Sequence, residues 1–188
     1  MAFLSRPFLL RAGIGAWSFL CCLLGQPYKS SGVQAADEYH VKAIFLYNFA
    51  KFVEWPPDLP PGATLCIGIV GDNPFGSELE QVVSAKTVNG HGFTVKLLKP
   101  EAAKTCQIVF VAMSEKKRLK TILELLKGPG VLTVGESSGF CESGGVINFE
   151  VVDSKVRFEV NLGAAERARL KLSSKLIGLA KIVRDRGN

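Results

Sequence analysis

The stretch Leu65-Cys66-Ile67-Gly68-Ile69-Val70, followed at once by Gly71-Asp72-Asn73-Pro74, decides the fold class of this chain. It is a short apolar run with β-branched residues that ends in a turn, which is typical of a strand buried on both faces of a parallel sheet. Similar strands are predicted further along, at Phe93 to Leu98, Gln107 to Ala112 and Val131 to Val134.

Helices are predicted between these strands, at Phe75 to Lys86 and at Glu115 to Lys127. The alternation predicts an α/β protein with a mainly parallel sheet covered on both faces. Val146 to Val152 and Lys155 to Asn161 flank Asp153-Ser154, which predicts a late antiparallel hairpin. A long final helix is expected from about Ala164 to Arg186.

The first 36 residues differ in kind from the rest of the chain. Arg6 and Arg11 form a basic region, Ala12 to Leu24 is apolar, and the small residues at Ala35 and Ala36 suit cleavage by a signal peptidase. Residues 1–36 are therefore predicted to be a secretory signal peptide, with residues 37–188 as one exported, periplasmic domain. The alternative is a retained membrane anchor, although a spanning helix needs about 20 apolar residues.

The charge of the predicted mature domain is close to balanced. The whole chain has 23 basic and 17 acidic residues, and cleavage would remove Arg6, Arg11 and Lys29, which leaves a net charge of +3. Such a balance provides no reason to expect nucleic-acid binding.

Three cysteines remain after the predicted cleavage, namely Cys66, Cys106 and Cys141. Cys66 and Cys106 each stand just before an apolar strand, so they would lie side by side if those strands are parallel neighbours. An oxidising compartment would favour a bridge between them, and two buried free thiols are the alternative. An odd number of cysteines leaves at least one thiol unpaired within the chain, and we expect it to be Cys141.

The first predicted helix, Glu38 to Glu54, has an apolar arc wider than one core contact requires. Either the helix is buried on both sides, or its outer row meets a second chain. On the second interpretation, a partner or dimer interface would include Leu46, Tyr47, Phe49, Lys51, Val53 and Trp55.

No workable catalytic or metal-binding constellation is found in the sequence. Gly135-Glu136-Ser137-Ser138-Gly139 fits G-x-S-x-G, but more loop and a strand follow it, and the only histidines, His40 and His91, lie upstream. Gly71 to Gly76 has phosphate-loop glycine spacing without the lysine that reaches the phosphates. Catalytic residues, cofactors and metals are therefore expected to be absent.

The glycine- and serine-rich loop from Gly135 to Gly145 follows a central strand. Open α/β sheets bind ligands beyond the carboxyl ends of their strands. A ligand site there would be formed by Gly71, Asp72, Glu136, Phe140 and Cys141. The alternative is a mobile loop without a ligand.

Five segments of the chain carry a family pattern: Tyr47-Asn48-Phe49-Ala50-Lys51-Phe52-Val53-Glu54-Trp55-Pro56, Ile67 to Gly76, Gly144 to Phe149, Val156 to Asn161 and Leu170 to Leu176. Together they resemble the YfiR family of periplasmic proteins. The resemblance covers nearly the whole predicted mature chain.

The resemblance implies a three-layer α/β/α sandwich that forms a homodimer and has no catalytic residues. It implies a repressor that binds the periplasmic domain of an inner-membrane diguanylate cyclase, with an outer-membrane lipoprotein as a second partner. Cys66 and Cys106 match one disulfide of the family's best-understood member. Cys141 matches half of its second disulfide, whose other position is Asn148 here, so a second bridge is not expected.

Two functions are therefore expected, from different classes. The first is a regulatory protein that restrains an inner-membrane signalling enzyme in cyclic di-GMP control. The second is a periplasmic small-molecule-binding protein that serves a transporter or sensor, and it requires a pocket with convergent polar groups.

Overall fold

The computed structural model describes residues 31–56, 60 and 62–185. Its helices are α1 (Ser31–Phe52), α2 (Glu78–Val83), α3 (Leu119–Leu126), α4 (Leu162–Arg167) and α5 (Ser174–Ile177). Its strands are β1 (Val53–Glu54), β2 (Leu65–Val70), β3 (Phe93–Leu97), β4 (Ile108–Val111), β5 (Leu132–Gly135), β6 (Ile147–Val152), β7 (Lys155–Asn161), β8 (Lys171–Leu172) and β9 (Lys181–Val183). Two 3₁₀ segments, Pro100–Thr105 and Met113–Arg118, flank β4.

The described strands form a seven-stranded sheet in the order β3-β2-β4-β5-β6-β7-β9, and β1 pairs with β8 in a separate two-stranded ladder. The strands from β3 to β6 in that order are parallel, β7 is antiparallel to β6, and β9 is parallel to β7. All six residues of β2 are buried, as expected of a strand covered on both faces.

Two apolar clusters lie on the two faces of this sheet. The larger contains buried residues of α1, α2 and α4, and the smaller contains those of α3 with Phe140. The three-layer α/β/α architecture that the sequence predicted is thereby confirmed. The predicted hairpin is also present, and its turn residues Asp153 and Ser154 both have positive φ, as the type I′ turn between twisted strands requires.

Helix α1 lies along the sheet, antiparallel to the parallel strands. The Tyr39 hydroxyl near its start bonds Glu136 after β5, whereas the indole of Trp55 just beyond its end donates to the carbonyl of Gln107 before β4. In between, Phe45 and Phe49 pack against the rings of Phe149 and Phe158 at centroid distances of 5.2–6.0 Å. The start of α1 therefore lies at the carboxyl edge of the sheet.

The predicted helix from Ala164 to Arg186 is wrong, because α4, β8, α5 and β9 occupy its described part. Arg169 has φ of 53°, which a helix does not permit, and Ser173 starts α5 as a new cap. Strand β8, between the two helices, instead pairs with β1, and strand β9, after α5, pairs with β7. Tertiary pairing thus outweighs the helical apolar pattern.

Cys66 and Cys106 form a disulfide that joins β2 to the residue two positions before β4, which confirms the predicted pairing. Residues 1–30 of the predicted signal peptide lie outside the described residues, and the predicted cleavage positions Ala35 and Ala36 fall within α1. Among the helices that the structure describes, none is both long and apolar enough to cross a membrane.

Candidate functional site

The carboxyl ends of β2, β4 and β5 lie side by side in the sheet and lead into loops with polar side chains. Asp72 follows β2, and its backbone N–H donates to the Ser114 hydroxyl at 2.9 Å. Gly71 has φ of +96°, and a Cβ atom there would lie 2.6 Å from that hydroxyl oxygen. The loops after β2 and β4 therefore approach closely, and Gly71 permits this contact.

Glu136, directly after β5, is the most densely bonded carboxylate at this edge. Its Oε2 accepts hydrogen bonds from the Lys42 ammonium at 2.7 Å and from the Tyr39 hydroxyl at 3.2 Å, and its Oε1 accepts from the Met113 backbone at 3.1 Å. The side chains of Lys42 and Glu136 are only 4% and 5% exposed. Glu38, one turn before Lys42 on α1, pairs with the same ammonium at 2.5 Å.

The Tyr39–Lys42–Glu136 cluster contains an ion pair, Lys42–Glu136, that is buried from solvent. Burial, reinforced by the carboxylate of Glu136, raises the pKa of Tyr39, so that the phenol stays protonated and donates to the carboxylate. The Lys42 ammonium also lies 4.4 Å from the centroid of the Tyr39 ring. Moving two charges out of water costs free energy, so a buried ion pair does not by itself show that the fold is stabilised. Buried charges with perturbed pKa values nearby are common at functional sites.

A cleft of about 430 Å³ opens beside this cluster. It is lined by α1, the loops after β4 and β5, and β6 from Asn148 onward: Glu38, Tyr39, Lys42, Met113, Lys116, Glu136, Ser138, Asn148, Phe149, Glu150 and Val151. This is the position at which open α/β sheets bind ligands.

A second cleft of similar volume lies at the opposite end of the sheet. Trp55 and Val53, both predicted interface residues, contribute to its wall together with His91, Arg169 and Lys171. The His91 ring nitrogen Nδ1 lies 2.8 Å from the carbonyl of Ala63, so this histidine has a structural partner.

Three of the six predicted interface residues are buried in the core. Leu46 and Phe49 are fully buried and Val53 is nearly so, because these three face the sheet and its aromatic cluster. They present no surface to a second chain, and the expectation that they face a partner is corrected. The outer row of α1 is instead formed by Val41 and Ile44, which are 37% and 38% exposed.

The other three predicted interface residues lie at or near the surface. Tyr47 is half-buried, with its ring against Phe93 at 5.7 Å. Lys51 is exposed and its ammonium lies 5.5 Å from the Tyr47 ring. Trp55 is half-buried in the second cleft.

Of the predicted ligand residues, Glu136 lies in the first cleft, whereas Phe140 and Cys141 are fully buried in the core. The Phe140 ring packs so tightly on Gly135 and Gly145 that a Cβ atom at either glycine would lie 2.1–2.2 Å from it. The loop is therefore anchored by Phe140, and the expectation that these two residues line a ligand site is corrected.

Cys141 is a free, buried thiol, as predicted from the odd number of cysteines. Its Sγ lies 3.7 Å from the carbonyl oxygen of Val146. Burial, with the nearby Glu159 carboxylate as the second cause, raises the pKa of the Cys141 thiol. The thiolate, which is the reactive form, is therefore disfavoured at neutral pH.

Sequence reasoning missed Lys42, Tyr39 and Glu38 as members of the site. The available signal was Lys42 itself, a charged residue among the apolar residues of the first helix, with Glu38 four positions earlier. Asn148 and Glu159, both buried polar residues of the late hairpin, were also missed. Among the described residues, no group of three or more His, Cys, Asp or Glu side chains is placed to hold a metal ion.

The comparisons with known proteins agree with this architecture. A crystal structure of a conserved domain protein from Vibrio cholerae O1 biovar eltor is similar, with a TM-score of 0.52 at 10% sequence identity. The match covers 74% of this chain and 59% of that one, and at this identity it shows the fold alone. A search of curated proteins found no match. The model of the YfiR/HmsC-like family matches residues 39–181, from the start of the Tyr39–Lys42–Glu136 cluster to the first residue of β9, and the chain therefore belongs to the YfiR/HmsC-like family.

Proposed function

We propose that this chain is a non-catalytic periplasmic regulator that binds the periplasmic domain of an inner-membrane diguanylate cyclase and restrains its activity. The observation that carries the proposal is membership of the YfiR/HmsC-like family over residues 39–181, a family consistent with regulation of cyclic di-GMP signalling. The Cys66–Cys106 disulfide supports export, because such bonds persist in oxidising compartments.

The proposed mechanism is a shift in the population of cyclase states. A periplasmic inhibitor changes the activity on the other side of the membrane only if it binds the inactive state more tightly than the active one. A preference of about 3 kcal/mol would change the ratio of the two states about a hundredfold. The proposal includes a homodimer as the binding form and an outer-membrane lipoprotein that relieves the restraint.

The test is deletion of the gene followed by measurement of cyclic di-GMP by mass spectrometry. Deletion is expected to raise the nucleotide level and to favour attached growth, and the wild-type gene should restore both. The purified exported domain should bind the purified periplasmic domain of the cyclase. An unchanged nucleotide level after deletion contradicts the proposal.

A second candidate function is small-molecule binding in the service of a transporter or sensor. The observation that favours it is the cleft at the carboxyl edge of the sheet, which is lined by the buried Lys42–Glu136 pair and by the partly exposed carboxylate of Glu38. Loss of uptake of a solute on deletion, with cyclic di-GMP unchanged, would favour this function over the first.

A further inference from the structure

The excess positive charge of the predicted mature domain comes from one stretch of its sequence. Residues 99–127 contain seven basic and three acidic residues, whereas the rest of residues 37–188 contains thirteen basic and fourteen acidic residues. The stretch therefore has a net charge of +4, and the remainder has a net charge of −1. Such an asymmetry within one domain indicates a surface that attracts an anionic partner.

The fold places the charged part of this stretch in one layer. The 3₁₀ segment Pro100–Thr105 and helix α3 cover the same face of the sheet, because Ala103 of the first and Ile122 of the second pack in the smaller apolar cluster. Helices α1, α2 and α4 pack in the larger cluster on the other face. The disulfide from Cys106 to Cys66 also ties the end of the 3₁₀ segment to β2. We call the two 3₁₀ segments, α3 and the lysines that flank them the basic layer.

The cations of the basic layer are open to solvent, and most of them have no local counter-charge. All seven are exposed. Arg118 pairs with Glu115 at 3.4 Å, and Lys127 pairs with Glu124 at 2.6 Å. The other five form no ion pair with any residue that the structure describes: Lys99, Lys104, Lys116, Lys117 and Lys120. The positive field of these five lysines is therefore available to an anionic partner.

The side chains of the basic layer fit a membrane surface better than a protein surface. Six of its seven cations are lysines, and the single aromatic residue of the stretch, Phe110, is fully buried. Protein interfaces are instead enriched in arginine and aromatic residues and depleted in lysine. A lysine ammonium is a compact, strongly hydrated charge on a flexible stem, which suits lipid phosphates that have no fixed spacing. An anionic lipid surface attracts such residues without requiring a shaped pocket.

We propose that the basic layer docks the exported protein on the anionic phospholipid surface of a membrane, with α3 facing the lipid headgroups and α1 on the far side of the sheet. The inference goes beyond the proposed function and rests only on its export, because an exported protein has access to such a surface. Attachment to a membrane raises the effective concentration of the protein beside any membrane-bound partner.

The test is sedimentation of the exported protein, purified from the periplasm, with vesicles of phosphatidylglycerol and phosphatidylcholine or of phosphatidylcholine alone. Binding is expected only to the anionic vesicles, and it should be lost at about 0.5 M salt because ions screen exposed charges. The variant Lys116→Gln/Lys117→Gln/Lys120→Gln should weaken partitioning about a hundredfold, since each lysine near an anionic surface contributes about a factor of five.

A second triple variant separates the effect of this surface from that of net charge. Lys51→Gln/Lys86→Gln/Lys175→Gln removes three exposed lysines outside the basic layer, from α1, the segment after α2, and α5. It has the same net charge as the first variant and should change partitioning by less than about threefold, because its lysines lie away from the lipid. Native circular dichroism spectra are expected for both variants, since all six lysines are exposed.

The proposal is overturned if the exported protein does not bind anionic vesicles, if it binds phosphatidylcholine vesicles equally well, or if the two triple variants lose binding to the same extent. It is also overturned if the first variant binds vesicles as the wild type does but no longer binds the purified periplasmic domain of the cyclase, since the basic layer would then be a protein interface. Vesicle binding needs neither the cyclase nor deletion of the gene, so its failure leaves the cyclase test unaffected.

Discussion

At the scale of single residues, the most consequential contact is that between Lys42 and Glu136, two charges buried together 94 positions apart in the sequence. Each ion is tolerable in the interior only because the other is present, with Tyr39 and the Met113 backbone as further donors to the carboxylate. Removal of Lys42 leaves the buried Glu136 carboxylate without its counter-ion, with only the neutral donors of Tyr39 and Met113 beside it.

We therefore expect Lys42→Met to lower the free energy of unfolding by about 3–5 kcal/mol, because Glu136 is left charged and buried. The double variant Lys42→Met/Glu136→Met should be much less destabilised, since neither charge remains. Lys127→Met is the matched control, because Lys127 forms an exposed pair with Glu124 and should change stability by less than about 1 kcal/mol. Urea unfolding measures all three, and a single variant as stable as the control would contradict the expectation.

A second prediction at this scale concerns the glycines under the Phe140 ring. Gly145→Ala should lower the free energy of unfolding by about 1–3 kcal/mol, because the new methyl group would overlap a fully buried ring. A Cβ atom added at Gly92 would have no atom within 4 Å, so Gly92→Ala serves as the control. Thermal unfolding compares the two, and equal effects would show that Phe140 does not anchor this loop as described.

At the scale of secondary-structure elements, the disulfide joins β2 to the segment that leads into its parallel neighbour β4. It links positions separated by 40 residues, a segment that includes α2 and β3. Neighbouring parallel strands are far apart in the sequence, so their pairing is entropically expensive to form. A covalent link across that segment restricts the unfolded chain.

The double variant Cys66→Ser/Cys106→Ser is accordingly expected to lose about 4 kcal/mol of stability in the chain-entropy model. The measurement is denaturant unfolding of the oxidised wild type, the reduced wild type and the variant, with Cys141→Ser as a control that retains the bridge. Reduced wild type and variant should unfold together at lower denaturant concentration. If oxidised and reduced proteins unfold at the same midpoint, the bridge does not stabilise the fold.

At the scale of the whole molecule, the proposed homodimer has to use surfaces that the folded chain exposes. The inner row of α1, which includes Leu46 and Phe49, is committed to the core, whereas Val41 and Ile44 are partly exposed on the outer row. Association through α1 therefore has to use its exposed positions, among which Val41 and Ile44 are the large aliphatic side chains.

We expect Ile44→Glu to retain the native circular dichroism spectrum and to shift the exported domain from dimer to monomer in sedimentation velocity. Phe49→Glu should instead abolish folding, because it would place an unpaired charge among the rings of Phe45, Phe149 and Phe158. A native dimer of Ile44→Glu would exclude the outer row of α1 from the dimer interface.

The sequence by itself determined the elements whose signals are local. The apolar run at Leu65–Val70 predicted β2 with its exact bounds, and the alternation around Asp153-Ser154 predicted the hairpin. Cysteines near the starts of two apolar strands were sufficient to propose the bridge, because the starts of neighbouring parallel strands lie at the same edge of the sheet, although Cys66 lies within β2. The segments that resemble the YfiR family predicted membership of the YfiR/HmsC-like family, which the match over residues 39–181 confirms.

The tertiary structure alone decided which face of α1 is buried, because a wide apolar arc is compatible with several orientations and only packing against Phe149 and Phe158 selects one. It also determined the secondary structure after α4, where β8 and β9 form by pairing with distant strands although the apolar residues are spaced as in a helix. The Lys42–Glu136 cluster arises in the same way, since the antiparallel course of α1 brings its first turns to the carboxyl edge of β5. Contacts between distant residues depend on how the layers pack, and no local pattern of residues encodes them.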